Sequence, residues 1–135
     1  MTATETLITA QFYDLDPMGV VWHGNYPRFF EQARCELLDC IGYNYREMET
    51  SGYIWPIVDL QVKFVRPIRF AQTFVVKATI LESANRLKIG YVICDSVTRE
   101  VLTKAHTVQV AVEAATGELC LECPSALTDK LKDIS

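Results

Sequence analysis

Between Asn25 and Gly42 the sequence reads "NYPRFFEQARCELLDCIG", and Tyr26, Phe29, Phe30, Ala33, Leu37, Leu38 and Ile41 recur in it at helical spacing. That period places them on one face of an amphipathic helix. Asn25 is positioned to cap the start, Pro27 falls in the first turn where its missing N–H costs little, and Gly42 ends the run. A helix of about 15 to 17 residues is roughly 22 to 26 Å long. Its apolar stripe is wide, so it needs a sheet to lie on, and this requirement limits the folds open to the chain more than any other feature.

The rest of the chain supplies that sheet. Thr4 to Tyr13 reads as a first strand, with Thr6, Ile8 and Ala10 on one side and Leu7, Thr9 and Gln11 on the other. After a short helical piece in "YREMETSG", Val58, Leu60, Val62 and Phe64 alternate with Asp59, Gln61 and Lys63, until Pro67 interrupts pairing. Three more strands follow, Thr73 to Glu82, Leu87 to Ser96 and Leu102 to Glu113, separated by the turns "SANR" and "SVTRE" and closed by "AATGE". A helix placed after the first strand and before a run of hairpins predicts an α+β domain with an antiparallel sheet. "PSALTDKLKD" predicts a short terminal helix capped by Ser125. No linker, repeat or low-complexity tract interrupts the pattern, so residues 1–135 are read as a single domain.

A chain of 135 residues buries roughly 68% of the surface its unfolded form exposes, enough for a core without metal or disulfide staples. No run approaches the roughly 18 apolar residues of a membrane span, and "MTATETLITA" lacks the basic and apolar regions of a secretory leader. The expectation is a soluble cytoplasmic protein. The five cysteines are an odd number, scattered without ligand-spaced histidines, which argues for reduced thiols. "CLEC" is a C-x-x-C, but a zinc site needs about four ligands and no second pair is present. A net charge of −4 argues against general nucleic-acid binding, which depends on clustered Lys and Arg.

The polar chemistry concentrates in "YDLDPMGVVWHGNY", Tyr13 to Tyr26, between the first strand and the long helix. One reading is a simple turn, since Asp-Pro and Gly are ordinary turn formers and Asp14 or Asp16 can hydrogen-bond the local backbone. The other is a reactive site. Val21 to Gly24 precede the helix, where free N–H groups and the positive end of the macrodipole favour negative charge. Acyl transfer or hydrolysis needs a donor for the developing oxyanion and a base or nucleophile near the attacked carbon. A backbone N–H near His23 or Gly24 and the carboxylate of Asp16 meet that need in one loop. The helix start should keep this carboxylate ionised. His23 is open to three roles: acid or base, donor to the substrate carbonyl, or carrier of a useful main-chain N–H. His106 reads as a satisfied structural histidine, and Cys35 and Cys40, inside the helix pattern, as buried inert thiols. No G-x-S-x-G elbow, P-loop or G-x-G-x-x-G is present.

The stretch "DLDPMGVVWHGNYPRFFEQAR", Asp14 to Arg34, resembles the signature of the 4-hydroxybenzoyl-CoA thioesterase-like family, D-x-D-x-x-G-v-v-x-x-x-N-Y followed by an aromatic-rich helix. Asp14, Asp16, Gly19, Val20, Val21, Asn25 and Tyr26 are in register, and His23 matches the branch with histidine there. The resemblance continues more loosely over Pro56 to Val112. It implies the hotdog fold, an antiparallel sheet wrapped around a long central helix. It also implies dimers joining two sheets edge to edge, often paired into homotetramers, with the active site at the dimer interface. By the same resemblance Asp16 is the catalytic carboxylate, the N–H of His23 polarises the thioester carbonyl, and Gly19 to Val21 line the acyl end. Asn25, Tyr26 and Arg66 join them as substrate-binding candidates. Acyl-CoA is hydrolysed to free acid and CoA, with no cofactor or metal. Leu15 and Met18 depart from the pattern and bear on acyl preference.

Lys63, Arg66, Arg69, Arg86 and Lys88 are candidate anchors for CoA phosphates, and Phe30, Tyr53 and Trp55 candidate walls of an acyl pocket. Open sheet edges give oligomerisation a motive of its own, because a partner strand satisfies their N–H and C=O groups. The leading expectation is a homo-oligomeric acyl-CoA thioesterase. The alternative is a non-catalytic module of the same fold that binds acyl-CoA or acyl-carrier protein. A hotdog dehydratase calls for a different motif.

Overall fold

In the computed structural model, which describes residues 2–134, β1 (Ala3–Thr9) leads through a loop to the long helix α1 (Tyr26–Ile41) and then to α2 (Tyr45–Ser51). There follow β2 (Tyr53–Ile54), β3 (Ile57–Phe64), β4 (Thr73–Glu82), β5 (Leu87–Asp95), β6 (Val101–Gln109), β7 (Val112–Glu113) and α3 (Ser125–Ile134). Five strands form one antiparallel sheet in the order β1-β4-β5-β6-β3, and β2 pairs with β7 in a separate ribbon. Because β1 and β3 are the outer strands, the α1 crossover between them carries the chain from one edge of the sheet to the other.

All seven apolar positions of the α1 stripe are buried. The helix lies over β1 and β4, where alternation turns Phe74, Val76, Ala78 and Ile80 of β4 and Leu87, Ile89, Tyr91 and Ile93 of β5 toward it, all buried. Phe29 meets Phe74 edge to face at 5.1 Å between ring centroids, and Phe30 stacks on Tyr91 at 4.8 Å. Phe30 is thus core rather than pocket wall. Gly42 ends the helix with φ of 75°, a left-handed conformation suited to glycine.

Three local expectations are corrected. Asn25 does not cap α1 with its side chain: residues His23–Asn25 form a 3₁₀ turn running into the helix, so Asn25 already has helical backbone and its amide turns elsewhere. The first strand stops at Thr9, because the carboxylate of Asp14 accepts the N–H of Gln11 at 2.9 Å and bends the chain into a short helical turn, Phe12–Asp14. The strand expected over 102–113 divides after Gln109. Pro56, opposite that break, has no N–H to continue the ladder, and β7 leaves to pair with β2.

The β5–β6 turn is held by Asp95. Its Oδ1 accepts the N–H groups of Val97 and Thr98 at 2.9 Å each, and its Oδ2 accepts Gln72 Nε2 at 2.9 Å. The Thr98 amide, the Gln72 side chain and the Val97 amide together pull this carboxyl down to about 2. A carboxylate that titrates lower folded than unfolded stabilises the fold above its unfolded value of about 3.9, and the contribution disappears as pH falls toward the folded value. Denaturant titrations of Asp95→Asn should therefore show a shallower loss of stability than the parent between pH 4 and pH 2. Equal slopes in the two proteins would contradict this assignment.

Candidate active site

The loop between β1 and α1 is built on Asp14, which is buried. Its carbonyl oxygen accepts the N–H of Trp22 and the Nδ2 of Asn25, each at 2.9 Å, while its carboxylate holds Gln11. One residue thus ties the exit of the strand to the entry of the helix. Beyond it the chain makes a tight turn over Asp16 to Gly19. Gly19 N–H donates to the Asp16 carbonyl at 3.0 Å, Met18 N–H to Asp16 Oδ1 at 2.9 Å, and Gly19 adopts φ of 80°, which favours glycine. The return arm is pinned by Asp16 N–H to the Val20 carbonyl and by Val21 N–H to the Ile68 carbonyl, both 2.8 Å. The loop is therefore anchored to the β3–β4 connection.

Asp16, Val20, Val21, His23 and Tyr26 converge with Phe64, Arg66 and Pro67 on a cleft of about 260 Å³. Asp16 is half-buried there. Its Oδ1 is used by the turn, whereas no donor among the described residues takes its Oδ2. At the head of α1, the N–H groups of His23 and Gly24 have no acceptor among the described residues. Free amides at the positive end of a 16-residue helix are suited to an anion or a polarised carbonyl oxygen. Burial raises the Tyr26 phenol above its usual range against the opposing effects of Thr103 and the Ile68 main chain, and the Asp16 carboxylate adds to the rise. The acid is thus within electrostatic reach of the first residue of the helix.

Six of the residues expected from the sequence line this one cleft: Asp16, Val20, Val21, His23, Tyr26 and Arg66. Gly19 shapes the turn, and Asn25 is committed to Asp14 instead of facing a substrate. The His23 ring is exposed and packs against Trp22 at 5.4 Å. Arg66 pairs with Glu100 at 3.3 Å. Arg69 is bridged through its backbone to Val20 of the loop, whereas three other expected anchors lie apart: Lys63 borders a separate depression with Lys104, Arg86 pairs with Glu82 at 3.0 Å, and Lys88 faces Glu82 across β4 and β5. His106, half-buried, is 3.4 Å from Asp59 and away from the cleft.

Cys35 and Cys40 are exposed, contrary to expectation, because positions 35 and 40 fall off the buried stripe of α1. The Cys123 thiol is pushed up to about 11 by burial, with Glu82 and Cys120 adding to the rise, which makes it a poor thiolate. Two contributors to the site were missed. Phe64 meets Tyr26 edge to face at 4.8 Å and walls the cleft, and the Trp22 indole covers Gly24 so closely that a Cβ there would lie 2.4 Å from the ring. The available signal for Phe64 was its place just before Pro67, where the strand must end beside the loop.

Comparison with known proteins places the fold in a family. The family model of the thioesterase-like superfamily matches residues 10–131. YneP of Bacillus subtilis (strain 168), described as a candidate acyl-CoA thioesterase, is 32% identical over 91 residues, spanning 67% of this chain and just under two thirds, 65%, of that protein. The crystal structure of a DHNA-CoA thioesterase from Staphylococcus aureus superposes with a TM-score of 0.80 at 30% identity, covering 90% of this chain and 81% of the other. A variant of 4-hydroxybenzoyl-CoA thioesterase complexed with 4-hydroxybenzoyl-CoA shares the fold, with a TM-score of 0.84 at 18% identity over 100% of both chains. The chain belongs to the thioesterase-like superfamily and has its hotdog fold.

Proposed function

We propose that this protein is a thioester hydrolase that cleaves acyl-CoA to the free acid and CoA in the Asp16 cleft. The observation that carries the reading is that Asp16, with one carboxylate oxygen that no donor takes among the described residues, lines the same small cleft as His23, whose N–H, like that of the adjoining Gly24, has no acceptor among the described residues. The thioester carbonyl oxygen is placed on the amides of His23 and Gly24, where negative charge developing in the tetrahedral intermediate is stabilised by preorganised dipoles. Asp16 Oδ2 then takes a proton from water as it attacks the carbonyl carbon, or attacks directly to give an anhydride that water opens. The C–S bond breaks and CoA leaves as the thiol. His23 contributes its main-chain N–H, since its ring is turned to solvent beside Trp22. Val20, Val21 and Phe64 offer apolar walls, and Arg66 at the rim suits a phosphate of the cofactor portion.

Asp16→Asn keeps an oxygen to accept the Met18 amide, so the turn should survive while the base is lost. Thiol release from a panel of acyl-CoAs is expected to fall by about 10²- to 10⁴-fold with the circular dichroism spectrum and melting temperature unchanged. Undiminished turnover would remove Asp16 from the mechanism. The contrasting reading, a non-catalytic module for acyl-CoA or acyl-carrier protein, requires tight binding without thiol release from the parent protein.

The assembly is proposed to be a homodimer, or a dimer of dimers, joined along β3. In this chain β3 is an outer strand, and Val58, Leu60 and Phe64 on it are exposed. Such an edge is a template for a second copy, which would pair its backbone groups and cover its apolar side chains. Light scattering after size exclusion should give at least twice the 15.3 kDa chain mass at micromolar concentration. A stable monomer there would count against the interface.

A further inference from the structure

β3 is an outer strand of the sheet, and its register with β6 is unbroken from Asp59 to Phe64, with an irregularity between Ile57 and Asp59. Cross-strand partners share a face. Leu60, Val62 and Phe64 therefore lie on the helix side with Thr107, Ala105 and Thr103, whereas Asp59, Gln61 and Lys63 lie on the outer side. That outer side carries a conflict. Lys63 stands directly opposite Lys104, and neither lysine forms an ion pair among the described residues. Like charges in facing positions destabilise a sheet, so an anion on the open side of Lys63 would relieve the pair.

A second copy of β3 supplies that anion in one register. Two antiparallel strands related by a two-fold axis have one residue that faces itself, and all facing residues share a face of the joined sheet. With Asp59 on the axis, acid meets acid, and with Lys63 on it, lysine meets lysine. Leu60 on the axis sets Asp59 against Gln61, and Val62 sets Lys63 against Gln61. Gln61 on the axis sets Asp59 of each chain against the partner's Lys63, twice by symmetry. The facing stretch, Asp59 to Lys63, then lies within the regular part of β3, and Leu60 meets the partner's Val62 on the helix side. Asp59 Oδ2 accepts Gln61 Nε2 at 3.2 Å and is 3.4 Å from His106 Nε2, while no donor among the described residues takes its Oδ1. The charge order Asp59, Gln61, Lys63 is its own complement when reversed, which selects another copy of this chain over an unrelated strand.

Extended to the next facing position, the same register puts the partner's Val58 opposite Phe64, a wall of the Asp16 cleft. In the single chain Val58 is 58% and Phe64 50% exposed, so both have apolar surface left to cover.

We propose that two copies pair along β3 with Gln61 on the axis, so that Asp59 of each chain faces the partner's Lys63 and the partner's Val58 completes the wall of the Asp16 cleft beside Phe64. The use of β3 as the interface rests on the dimer proposed above; the register and the partner's share in the cleft go beyond it.

Asp59→Lys and Lys63→Asp, both at partly or fully exposed positions, test the register as separate chains. Two Asp59→Lys chains set lysine against lysine at both facing positions, and two Lys63→Asp chains set acid against acid. Each alone should dissociate at about ten-fold or more higher concentration than the parent by sedimentation. Mixed in equal amounts, they regain an opposite-charge pair at both positions, and native mass spectrometry should show a heterodimer of near-parent affinity. Variants that self-associate as tightly as the parent, or a mixture no tighter than its components, would overturn the register and leave the β3 dimer and the thioesterase reading standing. A monomeric parent overturns it together with the dimer.

The same heterodimer tests the cleft. Asp16→Asn on the Asp59→Lys chain leaves one working cleft, on the Lys63→Asp chain. Val58→Trp on the chain without the working cleft should then change kcat/KM for acyl-CoA by about ten-fold, the scale of one altered pocket contact. The same change on the chain that carries the working cleft should leave kcat/KM within about two-fold. Equal effects from the two chains would overturn the partner's share in the cleft. If no thioester is cleaved, photocrosslinking decides: p-benzoylphenylalanine in place of Val58 should attach to the Phe64 peptide of the other chain, and attachment within its own chain overturns the assignment.

Discussion

The site depends on what Asp14 does with its oxygens. Buried between strand exit and helix entry, it takes the Gln11 amide on its carboxylate and both the Trp22 amide and the Asn25 side chain on its carbonyl. Asp14 itself is buried and these bonds are partly so, and a buried group left unpaired would cost about 1–3 kcal/mol. Their joint effect is positional. They hold the Asp16 turn against the head of α1, so that the Asp16 carboxylate and the N–H groups of His23 and Gly24 keep a fixed relation to one another. Preorganisation of this kind gives an oxyanion site its effect, because the dipoles need not reorient as charge develops.

The two readings of the junction, turn or reactive site, prove to be compatible at the level of single atoms. Asp16 Oδ1 holds the Met18 amide and closes the turn, and Oδ2 has no such duty. One carboxylate oxygen fixes the side chain's direction while no donor among the described residues takes the other. Gly19 makes this possible, since its left-handed conformation lets the chain double back within four residues and bring Val20 and Val21 to the same cleft.

Much of this was legible in the sequence because period and spacing are local properties. The α1 stripe was readable residue by residue, as was the alternation of β4 and β5, since burial on one face leaves a fixed pattern. Asp16, His23, Val20, Val21 and Tyr26 are near neighbours in the chain, so one loop was enough to gather them. What escaped depends on partners distant in sequence or on competition for a group. Asn25 has the chemistry of a cap, but the Asp14 carbonyl eleven residues earlier takes its amide and a 3₁₀ turn replaces the cap. Cys35 and Cys40 share the helix with the stripe, yet the 100° step per residue sets them on its outer side. Phe64 reaches Tyr26 only because β3 ends at the loop, a tertiary fact that alternation does not encode.

The Asp16 cleft and the open edge of β3 bear on each other. In the proposed dimer two β3 strands run antiparallel, so the Ile57 end of one lies toward the Phe64 end of the other. Gln109 is in register with Ile57, and the Asp16 cleft is walled by Phe64. Pairing in that dimer sets the Ile57 end of each strand toward the Phe64-walled cleft of its partner and brings the exposed Leu60 and Phe64 of both strands near one another.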